Sequence, residues 1–429
     1  MAMTSFLELE CKQMASEQIA AYVGSYPPRA CGIATFTRDV SKAVARGPHG
    51  MVPRIAAIDP AGGPLSYPPE ACWTIDQGDR RSWREAARRI NASPVSVVSL
   101  QHEFGIFGRF GADGSFSDFL PDFLDRLEKP VVSTLHTVLP HPRPDFLKAV
   151  QTIYRRSAAV VTMVNMASLI LEQDYGLDPV KLHTIPHGVP HIPRSDTGTM
   201  KAELGFEGRT VISTFGLLSR GKGIQYAIQA LPEVVSAHPE VLYLIIGETH
   251  SEVRKHEGES YRESLEGLVR ELGLERHVLF VNHYLPQDRL VRFLEATDIY
   301  ITPYVERNQI TSGTLAYALG AGKAVISTPN LYAAEALAEG RGLLAEFQDP
   351  SSFSRCMRML LEHPELRAHC QRNARAYGRS MSWASVGRRY ADLFRAVAAP
   401  APSLQVAALP VAAASLNAVQ RQPIVSARP

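Results

Sequence analysis

Cysteine is scarce in this sequence, and the few cysteines present are scattered. They lie at positions 11, 31, 72, 356 and 370, and no two of them form a Cys-x2-Cys pair. A disulfide framework needs an even set of cysteines, and a zinc site needs closely spaced ligands. The pattern favours neither and is typical of reduced thiols in a cytoplasmic protein.

A large net charge and long apolar runs are also missing. The 45 Lys and Arg residues nearly balance the 43 Asp and Glu residues, which leaves a formal charge of +2. A net charge this small creates no strong overall electrostatic field, which excludes attraction of the whole chain to nucleic acid or to a membrane surface. No apolar run approaches the ~18 residues of a membrane span, and residues 1–20 carry no secretory pattern. We therefore expect a cytoplasmic location, no nucleic-acid partner and no membrane contact beyond a peripheral one.

The chain is long enough for two or three globular domains, with 429 residues of which 45% are hydrophobic. Short runs rich in valine and isoleucine have the length of buried parallel strands. They lie at 95–100, 131–135, 159–163, 211–215, 242–246, 278–281, 299–302 and 324–327. Helical patterns alternate with them, at 117–127, 224–236, 261–272, 287–295 and 312–319. This alternation predicts βαβ units and an α/β fold with covered parallel sheets.

A break in this pattern at 187–199 predicts a domain boundary. Its sequence, HGVPHIPRSDTGT, contains prolines, glycines and polar residues that interrupt any helical or strand period. We predict an N-terminal domain at 1–190 and a C-terminal domain at 200–381, two doubly wound Rossmann-like units facing a cleft. A last helix at 382–397 follows the second unit. The segment 399–429, rich in alanine and proline, is predicted to be disordered.

The sharpest motif is the turn FGLLSRGKG at 215–223, which joins a predicted strand to a predicted helix. Gly221 and Gly223 let the backbone approach an anion, and the start of the helix offers free N–H groups. Gly216 is assigned to the same site. Arg220 and Lys222 add two cations. The turn therefore predicts a phosphate site, and a strand-to-helix turn with solvated charges is the alternative. A P-loop NTPase is disfavoured, because a glycine occupies the position of the hydroxyl residue that binds Mg²⁺.

A second candidate phosphate-binding motif, QITSGTLAYALGAGK, lies at 309–323 after another predicted strand. Small residues with free amides and hydroxyls at the start of a helix can hold a diphosphate. The residues assigned to this site are Thr311, Ser312, Gly313 and Thr314. An N-cap role for Thr311 or Ser312 is the structural alternative, and it is compatible with ligand binding.

Three histidines of the N-terminal half follow predicted strands. His102 and His136 each come immediately after a buried strand, and His187 precedes the break. Because the carboxyl ends of parallel strands meet at one edge of a sheet, we expect these histidines and Glu103 to lie at a common site. The alternative is that each histidine is a surface residue or a satisfied core residue.

The loop rich in proline and glycine at 24–38 contains Gly32 and is predicted to lie at the edge of the cleft, with a helix beginning near Thr37. Metal binding by the histidines is disfavoured because no His-x3-His spacing is present. The sequence also has no Asp-x-Asp, which could present a divalent cation to a diphosphate. We therefore expect no metal, and Arg220 and Lys222 to neutralise the phosphate charge.

These segments together resemble the GT-B glycosyltransferases, and specifically glycosyltransferase family 4. The likeness spans roughly 20–397 and is strongest in the C-terminal half, at 216–223 and in ALGAGKAVIS at 318–327. PHGV at 186–189 resembles the Pro-Asn-Gly-Val that precedes the interdomain linker of that family. MSW at 381–383 resembles the start of its terminal helix, which crosses back to the first domain, so the helix at 382–397 is expected to pack on the N-terminal domain. A narrower group of bacterial members shares PPRxCGIATFT, QHEFG and QITSGTLAY.

The resemblance implies a retaining hexosyltransferase of polysaccharide biosynthesis. Its partners would be a nucleoside-diphosphate sugar, held by the C-terminal domain, and a saccharide or glycoconjugate acceptor, bound by the N-terminal domain. The donor is a co-substrate, and neither a cofactor nor a metal is expected. By that likeness Arg220 and Lys222 bind the donor diphosphate and assist its departure. Gly32 lies at the loop that approaches the diphosphate, and His136 lies near the transferred sugar. The remaining candidates for substrate contacts are His102, Glu103 and His187.

Two residues depart from the family pattern Glu-x7-Glu, in which the first acid contacts the sugar and the second the ribose. Gln309 and Tyr317 stand at the matching positions. Both side chains can form hydrogen bonds with a donor, but neither carries charge. We assign both to donor binding, with Glu306 on a shifted loop as an alternative to Gln309. The departure keeps two other functions open, a phosphorylase-like GT-B enzyme that uses inorganic phosphate and a non-catalytic binder of sugar or nucleotide.

Overall fold

The computed structural model describes residues 18–48, 50–60, 63–111, 113–193 and 196–399. The tail predicted at 399–429 lies, beyond its first residue, outside this described part. Among the described residues, none of the helices combines the length and the apolar character that crossing a membrane requires.

The N-terminal half is built on a seven-stranded parallel sheet. Its strands and those of a small hairpin are β1 (Ile19–Gly24), β2 (Val52–Asp59), β3 (Ala71–Asp76), β4 (Val95–His102), β5 (Gly108–Phe110), β6 (Phe116–Asp118), β7 (Val131–Leu135), β8 (Ala159–Thr162) and β9 (Leu182–Thr184). The order in the sheet is β3-β2-β1-β4-β7-β8-β9, and β5 pairs with β6 in the antiparallel hairpin. The central strands are buried on both faces, as strands covered by crossover helices must be.

Helices connect most of the successive strands of this sheet and form βαβ units with them. They are α1 (Gly32–Ala45), α2 (Arg80–Asn91), α3 (Phe104–Phe107), α4 (Leu120–Leu124), α5 (Pro144–Arg156) and α6 (Asn165–Gln173). The Cys31 thiol accepts the N–H of Ala34 at 3.3 Å and so caps α1.

The C-terminal half repeats the design with six parallel strands. They are β10 (Thr210–Phe215), β11 (Val241–Ile246), β12 (Val278–Val281), β13 (Ile299–Thr302), β14 (Ala324–Ser327) and β15 (Gly342–Leu344), in the order β12-β11-β10-β13-β14-β15. Its helices are α7 (Thr197–Glu203), α8 (Ile224–Ala237), α9 (Ser251–Glu257), α10 (Ser260–Glu271), α11 (Gln287–Ala296), α12 (Gly313–Gly320), α13 (Leu331–Ala336), α14 (Pro350–Glu362) and α15 (Pro364–Gly378). The strand order reverses direction between β10 and β13, where ligands bind in such sheets.

The last helix, α16 (Trp383–Ala398), returns to the N-terminal half. Its buried residues Val386, Tyr390 and Phe394 join one apolar cluster with Tyr22 of β1 and Phe36 of α1. The two halves are therefore linked by a second chain crossing as well as by the linker after β9.

All eight predicted strands are confirmed, and the α/β fold with two doubly wound parallel sheets is confirmed with them. The helix predicted at 117–127 is wrong in extent, because β6 occupies its start and α4 covers only Leu120–Leu124. The helix predicted near Thr37 begins five residues earlier, at Gly32, since a cysteine serves as its N-cap. The predicted domain limits stay predictions.

Candidate functional site

The turn after β10 lies against the loop that follows β13. Gly216 has a φ of 135° and Gly223 a φ of 60°, conformations that favour glycine. A Cβ built on Gly223 would lie 2.1 Å from the carbonyl oxygen of Pro303. The N–H of Val305 donates to the carbonyl of Gly221 at 3.1 Å. These contacts fix the path of the turn.

The two cations of the turn have different surroundings. The Arg220 side chain is 63% exposed, and its Nε lies 3.1 Å from Oε2 of Glu257. An exposed pair of this kind contributes at most about 1 kcal/mol, so an anionic ligand can replace Glu257 at little cost. The Nζ of Lys222 lies 4.0 Å from the centroid of the Tyr304 ring. Lys222 is therefore held by an aromatic face and not by a carboxylate.

The start of α12 adjoins this turn. Ser312 Oγ accepts the N–H of Leu315 at 3.3 Å, which confirms the N-cap role predicted as compatible with binding. Thr314 Oγ1 lies 2.7 Å from the Tyr304 hydroxyl. A Cβ built on Gly216 would lie 3.3 Å from Cγ2 of Thr314. The two predicted phosphate motifs are therefore neighbours.

Gln309 and Tyr317 form hydrogen bonds within the protein. Gln309 Nε2 donates to the carbonyl of Thr311 at 3.0 Å. The Tyr317 hydroxyl accepts from Gln287 Nε2 at 3.0 Å, and that same Nε2 lies 3.5 Å from Oδ2 of Asp39 on α1. Burial raises the pKa of the Tyr317 phenol, so the hydroxyl stays protonated. Tyr317 thus lies where the two halves touch.

His187 contacts the first residue of α12. Its Nδ1 lies 2.7 Å from the carbonyl oxygen of Gly188, so Nδ1–H donates and Nε2 keeps its lone pair. A Cβ built on Gly313 would lie 3.0 Å from that Nε2. Burial lowers the pKa of His187 to about 4, so the imidazole is neutral at pH 7.

His136 is held by a buried amide. Its Nε2 lies 3.0 Å from Oε1 of Gln101, which makes Nε2–H the donor and leaves Nδ1 as an acceptor. Burial lowers the pKa of His136 to about 3. The Phe36 ring stands edge-on to His136 at 4.9 Å and to His187 at 5.1 Å between centroids. Phe36 therefore joins the two histidines.

The side chains of His102 and Glu103 have other partners than that pair. The His102 ring is fully buried, with the rings of Phe104 and Phe107 at 5.0 and 5.5 Å. Glu103 Oε2 accepts from the Thr137 hydroxyl at 2.6 Å and Oε1 from the N–H of Phe104 at 3.0 Å. Burial raises the pKa of Glu103. The structure places His102 in the core, and contact of either residue with substrate stays a prediction.

Gly32 is exposed at the first position of α1, and a Cβ built there would meet no atom within 4 Å. One turn further, Thr35 Oγ1 lies 3.4 Å from the hydroxyl of Tyr284, which belongs to the C-terminal half. The start of α1 therefore lies close to the other half, and the approach of Gly32 to a donor stays a prediction. Among the described residues, no group of three or more His, Cys, Asp or Glu side chains is arranged to hold a metal ion.

The structure brings eight of the predicted site residues into one connected group. Gly216, Ser312, Gly313, Thr314 and His187 lie close together, and the group extends to Lys222 through Tyr304, to His136 through Phe36 and to Tyr317 through the His187 ring. Three side chains of this group were not predicted, namely Phe36, Gln287 and Tyr304. Tyr304 follows the predicted strand 299–302 by two residues, so the rule that ligands bind at strand ends could have indicated it.

Comparison with known proteins relates the C-terminal half to a family. Residues 196–377 match the family model described as glycosyl transferases group 1. The D-inositol 3-phosphate glycosyltransferase of Corynebacterium jeikeium (strain K411) is 28% identical over 222 residues, covering 50% of this chain and 51% of that protein. Spore coat protein SA of Bacillus subtilis (strain 168) is 24% identical over 201 residues, covering 46% and 51%. The chain spans about half the length of these curated relatives.

Solved structures resemble the whole described chain. A glycosyltransferase from Rickettsia africae ESF-5 has a TM-score of 0.69 at 16% identity, covering 89% of this chain and 99% of that one. Anabaena Alr3699/HepE in complex with UDP and glucose has a TM-score of 0.67 at 16% identity, covering 88% and 100%. Residues 196–377 thus match the group 1 glycosyl transferases, and the chain has the GT-B fold of two facing Rossmann-like domains.

Proposed function

We propose that this protein transfers a hexose from a nucleoside-diphosphate sugar to a hydroxyl of a saccharide or glycoconjugate acceptor, without a metal and with retention at the anomeric carbon. The close approach of Gly216 to Thr314 carries the proposal, because it places a turn with two cations beside the start of a helix. Two arrays of N–H groups and two positive charges at one place suit a diphosphate. The 2-deoxystreptamine glucosyltransferase of Streptomyces kanamyceticus and the D-inositol 3-phosphate glycosyltransferase of Corynebacterium jeikeium, both similar to this chain, support the same reaction class.

Departure of the diphosphate is the difficult step. The bond between the anomeric carbon and the phosphate oxygen breaks, and its electron pair stays on the diphosphate. The acceptor oxygen bonds to that carbon, and its proton passes to the departing diphosphate. Lys222 and Arg220 stabilise the charge that grows on the phosphate, which lowers the barrier more than it tightens substrate binding.

His136 acts in this proposal as a neutral partner for a sugar hydroxyl. Its pKa of about 3 excludes an imidazolium at pH 7, and its free Nδ1 accepts a hydrogen bond. Gly32 at the start of α1 lets the backbone approach the donor from the N-terminal half. Gln309 and Tyr317 contact the donor through uncharged groups.

The test measures donor binding and then transfer. A thermal-shift screen of UDP-, GDP- and ADP-sugars identifies the donor, because a ligand that binds only the folded state raises the melting temperature. With that donor, Lys222→Ala should lower kcat by about 10²-fold or more. Lys148→Ala, at an exposed position on α5, is the matched control and should leave kcat unchanged. An unchanged kcat for Lys222→Ala would contradict the role in departure of the diphosphate.

A non-catalytic binder is the second candidate. It is favoured by Gln309 and Tyr317, whose polar groups bond to Thr311 and Gln287 of the same chain. Tight binding of a nucleotide sugar with neither transfer nor hydrolysis over the donor panel would support it. Release of a sugar 1-phosphate from an oligosaccharide and inorganic phosphate would point instead to a phosphorylase-like enzyme.

A further inference from the structure

Tyr304 spans the two motifs that the proposed function assigns to the diphosphate. The residue follows β13 and is 1% exposed. One face of its ring carries the Lys222 ammonium, 4.0 Å from the centroid. Its hydroxyl lies 2.7 Å from Oγ1 of Thr314, in the first turn of α12. A single side chain therefore contacts the cation of the turn and the hydroxyl of the helix start.

The position of Tyr304 is fixed by its backbone. The hydroxyl of Thr328 donates to the carbonyl of Tyr304 at 2.6 Å. The next residue, Val305, donates its N–H to the carbonyl of Gly221, which lies between the two cations of the turn. These two hydrogen bonds fix the backbone on both sides of the ring and thereby fix the position of the ring relative to Lys222.

The electrostatics of Tyr304 agree with this geometry. Burial raises the pKa of its phenol and is the largest single influence, but the Lys222 ammonium and the hydroxyls of Thr314 and Ser312 together outweigh it, so the net direction is downward. The attraction is mutual, since a cation over an aromatic face is stabilised by the negative charge density of the ring. Lys222 has no carboxylate partner among the ion pairs of the described residues. Its charge is therefore held in place without being neutralised.

Arg220 provides the contrast within the same turn. Its guanidinium pairs with Glu257 and lies 5.7 Å from the Tyr261 ring, on the exposed side of the turn. It has no contact with Tyr304 in the described structure. A ligand must displace Glu257 to use Arg220, whereas Lys222 needs no such exchange.

We propose that Tyr304 is a positioning residue, whose ring holds the Lys222 ammonium beside the start of α12 so that one phosphate group binds both at once. The inference rests on the proposed function, because it takes the diphosphate as the ligand of the turn. It adds a residue that touches neither the donor nor the acceptor and acts through Lys222.

The test is a double-mutant cycle with inorganic pyrophosphate as the probe, measured by calorimetry on the full chain. We expect Tyr304→Leu to weaken pyrophosphate binding about tenfold in the wild-type background, the size of a partly buried cation–aromatic contact. In the Lys222→Ala background the same change should weaken binding less than twofold. In the Arg220→Ala background it should again cost about tenfold, because that pair is not coupled.

A second set of variants separates positioning from loss of folding. Tyr304→Phe keeps the ring, so it should retain pyrophosphate affinity within about threefold and rescue most of the defect of Tyr304→Leu. Tyr243→Phe removes another buried tyrosine hydroxyl, one bonded to Thr214, and should leave pyrophosphate affinity unchanged. Melting temperatures of all variants, recorded without ligand, show which proteins are folded.

The outcomes distinguish this inference from the proposed function. If Lys222→Ala does not weaken pyrophosphate binding, the turn is not the diphosphate site and both fail. If Lys222→Ala weakens binding but Tyr304→Leu costs the same with and without Lys222, the diphosphate site stands and the positioning role of Tyr304 is overturned. Equal losses for Tyr304→Phe and Tyr304→Leu would also overturn it, since the ring would then be irrelevant.

Discussion

A Cβ atom built on Gly188 would lie 2.2 Å from Cε3 of Trp383. Gly188 belongs to the segment that leaves the N-terminal half, and Trp383 begins the helix that returns to it. Next to this contact, the N–H of Val189 donates to the carbonyl of Met381 at 2.7 Å, and the N–H of Trp383 donates to the carbonyl of Val189 at 3.0 Å. The two segments that connect the halves thus lie side by side, and the indole of Trp383 packs against Gly188.

Gly188→Ala should destabilise the protein. The added methyl overlaps the indole, and displacement of a partly buried ring of this size costs about 1–3 kcal/mol. We expect the free energy of unfolding in urea at pH 7.5 to fall by this amount. Gly105→Ala is the matched control, because a Cβ built on Gly105 meets no atom within 4 Å. Equal unfolding free energies for the two variants would show that the indole moves aside without cost.

The sequence indicates the two parts of this crossing but not their pairing. The resemblance indicates PHGV as the segment that precedes the interdomain linker and MSW as the start of the terminal helix. Their contact joins residues far apart in the chain, and it depends on how the two halves dock. The eight strands, in contrast, could be predicted because runs of valine and isoleucine bounded by turn residues are a local signal.

A carboxylate of the C-terminal half binds the start of a helix in the N-terminal half. Glu335 on α13 accepts from the N–H of Asn165 at 2.9 Å and from the N–H of Met166 at 2.8 Å, at the start of α6. The Asn165 side chain also donates to Glu335, at 3.1 Å. An anion at this end of a helix is stabilised by the unpaired N–H groups and by the helix dipole. The contact therefore holds the two halves together at the edge of the cleft.

Glu335→Gln should weaken the contact between α13 and the start of α6. The amide removes the negative charge and presents N–H groups to one of the two backbone donors, which costs about 1 kcal/mol. We expect the amide protons of Asn165 and Met166 to exchange with deuterium about fivefold faster than in the wild type.

The control for this variant is Glu346→Gln, at an exposed position of the same half. It should leave the exchange of both amides unchanged. Because the Glu335 contact is exposed, 0.5 M NaCl should raise the exchange rates in the wild type and narrow the difference from Glu335→Gln. Exchange rates in Glu335→Gln that match the wild type would show that another contact closes this edge.

The candidate site could be predicted only where strand ends determine it. Both predicted phosphate motifs follow strands, so the rule that ligands bind at strand ends of doubly wound sheets indicates them from the sequence alone. The hydrogen-bond partners of the Tyr304 and Tyr317 hydroxyls could not be predicted, because they depend on which side chains the tertiary fold places nearby. The burial of His102 could not be predicted either, because β4 continues to His102, two residues past its predicted end. Alternate strand residues point to opposite faces, so His102 shares the inner face of Leu100 while Gln101 turns toward His136.

His102 should make the stability of the protein depend on pH. Burial lowers its pKa to about 3 in the folded state, against an ordinary value near 6.5 in the unfolded chain. Between these values the unfolded state binds a proton that the folded state does not, so stability is full above about pH 6.5 and falls as the pH drops. At pH 5 the loss from one such histidine is about 2 kcal/mol.

His102→Phe should remove this part of the pH dependence. The ring would pack against Phe104 and Phe107, and neither imidazole nitrogen has a hydrogen-bond partner among the described residues, so no bond is lost. We expect an unfolding free energy at pH 7.5 equal to or above that of the wild type, and a decrease between pH 7.5 and pH 5 that is about 2 kcal/mol smaller. Phe123→Leu, which alters the same core without removing an imidazole, should lower the free energy equally at both pH values. An unchanged pH dependence in His102→Phe would mean that His102 is protonated or hydrated in the folded protein.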